Sequence, residues 1–211
     1  MILSLERDHA CSLTISSHNS LRGHKILCQL ASFSKRASSK MVQAPPLVRH
    51  LRISRFRLAD LKDILEIESA AFRRDAYPAE VFLELHQNCP ECFLAARSHG
   101  TVMGYVASSL EGSDAEIVSI AVRPGHRRCG IGRALMMHTL VKLKAFGIRR
   151  VTLTVRPANR PAVQLYARLG FRSLRRIRQY YPDGSDAIEM QKELSGATRA
   201  AGASTSSGSA V

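Results

Sequence analysis

The chain has 211 residues, 45% hydrophobic and 23% charged, enough for one domain with tails and too apolar for global disorder. No apolar run approaches the roughly 18 residues of a membrane span, so an integral membrane protein is excluded and no membrane partner is expected. Lys and Arg number 31 against 17 Asp and Glu, and the net charge of +14 favours phosphate-bearing partners.

Half of that excess lies in a leader. Residues 1–55 hold nine basic residues against Glu6 and Asp8, whereas residues 56–194 hold 21 against 15. Residues 1–50 are rich in Ser, Arg and His, show no lasting period and close at Pro45-Pro46. They read as a disordered basic extension, with Met41 as a candidate true start. The competing reading is an organellar transit peptide over residues 1–40. The Gly/Ala/Ser/Thr-rich residues 195–211 read as a disordered tail. Five cysteines at uneven spacings, with no secretory signal, make a disulfide framework unexpected and a reducing compartment, the cytoplasm, the default.

Residues 51–194 carry the periodicity of one domain. Leu51–Leu58 alternates as a strand. Ala59-Asp60 offers a cap, and Leu61, Ile64, Leu65, Ile67 and Ala71 follow at helical spacing. Tyr77-Pro78 marks a turn before a short helix over Ala79–His86. Cys92–Arg97 and Thr101–Leu110 read as a hairpin about the turn at residues 98–100. Ala115–Val122 is apolar enough for a strand buried on both faces. A helix is predicted over Gly130–Phe146, stopped by Gly147. Arg150–Val155 is a β-branched strand. Asn159 caps a helix running to Leu169, and Phe171–Tyr180 and Ala187–Glu193 finish as strands. The reading is an α/β layer with a mixed sheet.

The segment Ser119–Leu135 carries the chemistry. A buried strand ends at Pro124, a basic turn with two glycines follows, and a helix opens. Gly130 and Gly132 let backbone approach a ligand, and the helix start aims unpaired N–H groups and its positive dipole end there. Arg127, Arg128 and Arg133 add formal charge. The result is a pyrophosphate cradle. It lacks the Lys-Ser/Thr pair of a Walker A loop and the three-glycine dinucleotide fingerprint, which disfavours ATP hydrolysis and dinucleotide binding.

Arg127-Arg128-Cys129-Gly130-Ile131-Gly132 resembles the acetyl-CoA motif of the GNAT acetyltransferases, Arg/Gln-x-x-Gly-x-Gly/Ala. Two more stretches match downstream at the family's spacing. One is Val155-Arg156-Pro157-Ala158-Asn159 with Ala162, Leu165-Tyr166 and Leu169-Gly170-Phe171; the other is Tyr180–Ala187. Together they resemble the RimI/Ard1 branch, which acetylates protein N-terminal α-amines, over about residues 52–194. The resemblance implies a single α/β domain with a mixed, mostly antiparallel central sheet flanked by helices. It implies acetyl-CoA as cosubstrate, no metal, and a protein or peptide N-terminus as partner, with a ribosomal protein as the RimI-like expectation.

It also implies roles for residues. The strand Glu116–Val122 would splay from its neighbour and offer the backbone of Ile120, Ala121 and Val122 to the pantetheine arm. Arg127, Arg128, Cys129, Gly130, Ile131, Gly132 and Arg133 would hold the pyrophosphate, and Asn159 would contact the arm. Tyr166, on the Asn159 face by i, i+7 spacing, would protonate the departing sulfur. Phe72 and Tyr77 on one loop, and Tyr180 and Tyr181 on the last hairpin, would hold the peptide. The branch often carries a Glu at the place of Thr154, and threonine takes no proton at neutral pH. The base therefore falls to Glu116. An α-amine, with a pKa of roughly 8 against about 10.4 for lysine, needs little help.

Cys89-Pro-Glu-Cys92 lacks the second ligand pair of a zinc site and reads as two unrelated thiols. The competing functions are a GNAT enzyme for lysine or a small amine, a CoA-binding protein without catalysis, and a nucleic-acid- or ribosome-binding module. No aromatic-interleaved basic patch supports a specific nucleic-acid site.

Overall fold

The computed structural model describes residues 50–194 together with the backbone of Leu27–Cys28. The rest of the two tails, and the expectation that they are disordered, lie outside the described residues. In chain order the elements are β1 (Leu27–Cys28), β2 (Arg52–Arg55), α1 (Leu61–Phe72), α2 (Ala79–Asn88), β3 (Phe93–Ser98), β4 (Thr101–Glu111), β5 (Asp114–Val122), α3 (Ile131–Ala145), β6 (Arg150–Val155), α4 (Arg160–Arg168), β7 (Arg172–Ile177) and β8 (Ala187–Glu193). Single turns of 3₁₀ helix at residues 58–60, 73–75, 90–92 and 124–126 join them, none of which the sequence periodicity shows.

One sheet runs in the order β2-β3-β4-β5-β6-β8-β7. Along this path every neighbouring pair is antiparallel except β5 and β6, which are parallel. The mixed, mostly antiparallel α/β sheet expected from the sequence is therefore present. Helices cover both faces. On one, Leu135, Met136, Leu140 and Leu143 of α3 and Ala162 and Tyr166 of α4 pack on Ile117, Val151, Leu153 and Val155. On the other, Ile64, Ile67, Val81, Phe82 and Leu85 of α1 and α2 pack on Phe93, Ala95, Tyr105 and Ala107. β5 is buried on both faces from Ser119 to Val122, the part of the strand that bears out its apolar reading.

Local chemistry sets the ends of these elements. The Asp60 carboxylate accepts from the Arg57 N–H at 2.7 Å and so fixes the entry to α1. Gly147, at φ 79°, terminates α3, and the Ile148 N–H returns to the Leu143 carbonyl at 3.0 Å. The Asn159 side chain accepts from the Ala162 N–H, as a cap should. β8 spans Ala187–Glu193 as the sequence suggests, whereas β7 is shorter than its predicted Phe171–Tyr180. β7 stops at Ile177 because Gln179 takes φ 48° and donates its N–H to Asp186 at 3.0 Å.

Cys89 and Cys92 are joined by a disulfide, with Cα atoms 5.2 Å apart, where α2 gives way to β3. This corrects the reading of two unrelated thiols. Cysteines three apart in a tight turn reach each other without help from the rest of the fold. Cys129 is a free thiol.

Candidate active site

The β5–β6 ladder ends early. Its register runs from Asp114 opposite Arg150 to Ile117 opposite Leu153, and then the two parallel strands part. Beyond Ile117, β5 continues to Val122 with an edge that β6 no longer covers. β1 lies along that edge in parallel, Leu27 opposite Ser119 and Cys28 opposite Ile120. The sequence gives no sign of this pairing, because two residues are too few for a strand period.

The part of this edge that β1 leaves uncovered, at Ala121 and Val122, leads into the predicted cradle. Arg128 and Gly130 take positive φ values of 65° and 85°, alternating with residues of ordinary conformation. Such alternation turns successive N–H groups toward one point and builds a concavity for an anion. Helix geometry leaves the first N–H groups of α3 without intrahelical acceptors at the same place. A cavity of about 270 Å³ lies there, lined by Arg127, Arg128, Arg133, Gln164 and Arg168 among others. Burial pulls the Arg127 guanidinium below its usual value, and its Nη2 is buried with no hydrogen-bond partner among the described residues. A buried cationic nitrogen without a partner fits a site that receives an anion.

The far wall of this cavity was not read from the sequence. Pro161, Gln164, Leu165 and Arg168 all face it from α4. Their i, i+3, i+4, i+7 spacing is the signal that finds them. Asn159 caps this helix and Tyr166 lies within it, both buried. Tyr166 packs edge-on to Phe171, ring centroids 5.9 Å apart.

On the opposite face of the sheet lie the groups expected to meet a second substrate. Glu116 is half-buried on β5, opposite Thr152 of the parallel β6. Burial raises its pKa to about 7, and the nearby charges of Glu189 and Glu111 act in the same direction. Glu189 is directly opposite Thr154 in the antiparallel β6–β8 ladder. Directly opposed residues project to the same side of a sheet, so a carboxylate stands beside the threonine, one strand over. Sequence reasoning missed Glu189 because its neighbour is set by β6–β8 register, which no local pattern reveals.

Tyr77 and Tyr181 come together with Ala187 in the α1/α2-side core, and Tyr180 packs against it. Tyr180 and Tyr181 meet edge to face at 5.0 Å. Tyr77 has its phenol pKa raised by burial and by the nearby Tyr180, Glu68 and Glu116. Phe72 is 2% exposed and backs this wall from within the core. Tyr181 is equally buried, beneath Arg156, so the half-buried Tyr180 offers more of the surface. Arg156 bonds Asp75 of the α1–α2 loop at 2.7 Å and Asp183 of the β7–β8 turn at 2.9 Å.

A profile of the Acetyltransferase (GNAT) family matches residues 61–171. The chain belongs to that family. Its members use acetyl-CoA, and the cradle, open strand edge and unpartnered Arg127 nitrogen fit that cosubstrate. The chain is 33% identical to an N-alpha-acetyltransferase of Sulfurisphaera tokodaii over 159 residues, 69% of this chain and 95% of that one. The fold matches Ard1 from Thermoplasma volcanium with TM-score 0.66 at 28% identity, over 70% of this chain and 99% of that one. It matches the ribosomal-protein-S18-alanine N-acetyltransferase of Escherichia coli with TM-score 0.63 at 30% identity, over 71% and 97% of the two chains. Among the described residues of this GNAT domain, no group of three or more His, Cys, Asp or Glu side chains gathers as metal ligands do, and no helix is long and apolar enough to cross a membrane.

Proposed function

We propose that this acetyltransferase transfers acetyl from acetyl-CoA to the N-terminal α-amine of a polypeptide by direct attack within a ternary complex. The observation that carries the reading is the split between β5 and β6 after Ile117, with the anion cradle at one end and the tyrosine wall on the opposite face. Acetyl-CoA supplies an acetyl group already activated as a thioester.

The chain's own residues do the rest. The backbone N–H groups of residues 127–133 hold the diphosphate, with Arg127, Arg128 and Arg133 as counter-charges. The backbone of Ala121 and Val122 aligns the arm as an added strand would, the arm takes at Ile120 the place that Cys28 of β1 holds, and an N–H of this stretch polarises the carbonyl. Asn159 contacts the arm from the start of α4. Tyr77 and Tyr180 grip the peptide backbone, backed by Phe72 and Tyr181. Glu116 takes the proton released by the amine through one water as nitrogen bonds to the carbonyl carbon. Tyr166 gives its phenol proton to the sulfur as the carbon–sulfur bond breaks.

A ribosomal protein is the natural substrate we carry forward, since the Escherichia coli relative is by name an S18-alanine N-acetyltransferase. One observation favours a second reading, acetylation of lysine: Glu116 near 7 is a stronger base than an α-amine requires. Peptides that each contain lysine, with free or blocked N-termini, separate the two. Acetylation confined to free N-termini supports the first reading, and equal acetylation of blocked peptides overturns it.

A further inference from the structure

Glu68 lies on α1 between Ile67 and Ala71, inside the helix's apolar stripe, and is 0% exposed. Taking a carboxylate out of water is costly unless its oxygens are bonded. Among the described residues no cation pairs with it. Its partners are three neutral donors on three different elements. The Tyr77 N–H donates to Oε1 at 3.0 Å. The Tyr105 hydroxyl donates to Oε2, and the Ser119 hydroxyl reaches the same oxygen at 3.3 Å. The Ser119 and Tyr105 oxygens are also 2.8 Å apart, so the single Ser119 proton is shared between Oε2 and the Tyr105 oxygen. Burial outweighs these bonds and raises the carboxyl to about 7.

An Ile at this position would pack without that cost, so the carboxylate needs a purpose that packing does not supply. The partners indicate one. Tyr77 belongs to the peptide wall. Ser119 lies on β5 two residues past the end of the β5–β6 ladder, immediately before Ile120, Ala121 and Val122. Tyr105 is the cross-strand neighbour of Ala121 on β4. Glu68 therefore stands behind the place where the two substrates meet, too deep to touch either.

We infer that Glu68 is a positioning residue, its two oxygens clamping the peptide wall at Tyr77 to the coenzyme-bearing stretch of β5 at Ser119. The inference rests on the proposed transfer to a peptide amine. Oε1 sets the wall, and Oε2, through Tyr105 and Ser119, sets the strand. Reacting atoms displaced by about 1 Å lose on the order of a hundredfold in rate, so such a clamp matters without touching substrate.

The test is steady-state acetylation of free-N-terminus peptides by E68Q, E68A and Y105F, with active sites counted by acetyl-CoA binding. Gln keeps an acceptor for the Tyr77 N–H, but its NH₂ cannot accept from Tyr105 or Ser119. E68Q is expected to lower kcat about tenfold with peptide KM within about twofold of the parent. E68A, which loses both arms, is expected to raise peptide KM about tenfold and lower kcat by about a hundredfold. Y105F should follow E68Q, and this pair decides the matter if E68A does not fold. Variants with unchanged kcat and KM per active site, and only less folded protein, would reduce Glu68 to a structural residue and overturn the inference.

A second readout needs no turnover. Amide hydrogen exchange should find the Tyr77 N–H protected in the parent and in E68Q. Free exchange of that amide in the parent overturns the clamp even in an active enzyme. A protected amide in a parent that acetylates no peptide retains the clamp and defeats the transfer reading alone.

Discussion

The Arg156 guanidinium lies 3.6 Å from the centroid of the Tyr181 ring and, from the same position, bonds Asp75 and Asp183. One planar cation thus joins the α1–α2 loop to the β7–β8 turn, the two walls between which a peptide would lie. Arg156 and Asp75 are both largely buried, so water screens the pair weakly.

Arg156→Ala should therefore loosen both walls at once. Loss of a desolvated cation–π contact is worth about 2 kcal/mol, which for a domain of this size is a fall in Tm of about 5 °C. Peptide KM should rise about tenfold while acetyl-CoA affinity holds, because among the described residues Arg156 bonds Asp75, Asp183 and Ser185 and stacks on Tyr181, all on the peptide side. Arg156→Lys should not restore the parent KM, since an ammonium offers no plane to stack and no fork for two carboxylates. A Lys variant with parent kinetics would show that charge alone suffices.

The parts of this arrangement that were legible in the sequence are those fixed by local chemistry. Gly130 and Gly147 bracket α3 because both positions need positive φ, and the β-branched run at Arg150–Val155 is a strand wherever it packs. The cradle is legible for the same reason, being one continuous strand–turn–helix. Arg156 and Asp75 are 81 residues apart, and their meeting depends on how loop and hairpin fold over one face. Glu189 beside Thr154 depends on register. Glu68 was present as an acid inside an apolar helical stripe, a signal that two hydroxyls and a backbone N–H make intelligible only once β4 and β5 are in place.

The pH dependence of the reaction should report Glu116. It must be ionised to accept a proton, so kcat/KM should rise with pH through about 7, where burial and the neighbouring Glu189 and Glu111 hold it. Glu116→Gln should remove that limb, leave the later one that belongs to the substrate amine near pH 8, and lower kcat/KM at neutral pH by roughly tenfold to a hundredfold. Glu189→Gln removes a negative charge that disfavours ionisation, so its limb should move to lower pH. Arg175 pairs with Glu189 and is well exposed, and Arg175→Gln should leave the limb in place or move it upward. A limb that ignores Glu189 would remove this carboxylate from the site.

Glu68 should also be visible in stability. Its folded pKa is raised from 4.5 to about 7, so the folded state binds the proton more tightly than the unfolded chain. The associated stability is fully present below about pH 4.5 and is lost as pH rises through 7. For a fully buried carboxyl this amounts to about 3 kcal/mol. Glu116 adds loss of the same sign in the same window. Urea unfolding at pH 5, 6, 7 and 8 should show stability falling across the series in the parent and falling less in Glu68→Gln. Equal slopes in the two proteins would mean that Glu68 titrates as it does in the unfolded chain.

The two cradle glycines should answer differently to alanine. Gly130 has φ 85°, and a Cβ there meets nothing within 4 Å, so space is not the obstacle. Conformation is: an L side chain in the left-handed region costs about 1 to 2 kcal/mol, and relief of that strain turns the N–H groups of the nest away from one another. Gly130→Ala should weaken acetyl-CoA binding about tenfold. Gly132 lies inside α3, where a Cβ meets Val122 Cγ2 at 3.7 Å and Leu165 Cδ2 at 3.8 Å, ordinary contact distances. Alanine there gains helix propensity of up to about 1 kcal/mol and keeps the N–H in place. Gly132→Ala should bind acetyl-CoA within about twofold of the parent, at equal or higher Tm. Calorimetry on the two variants is decisive, because equal loss in both would mean that the cradle depends on bare backbone throughout rather than on the left-handed turn at Gly130.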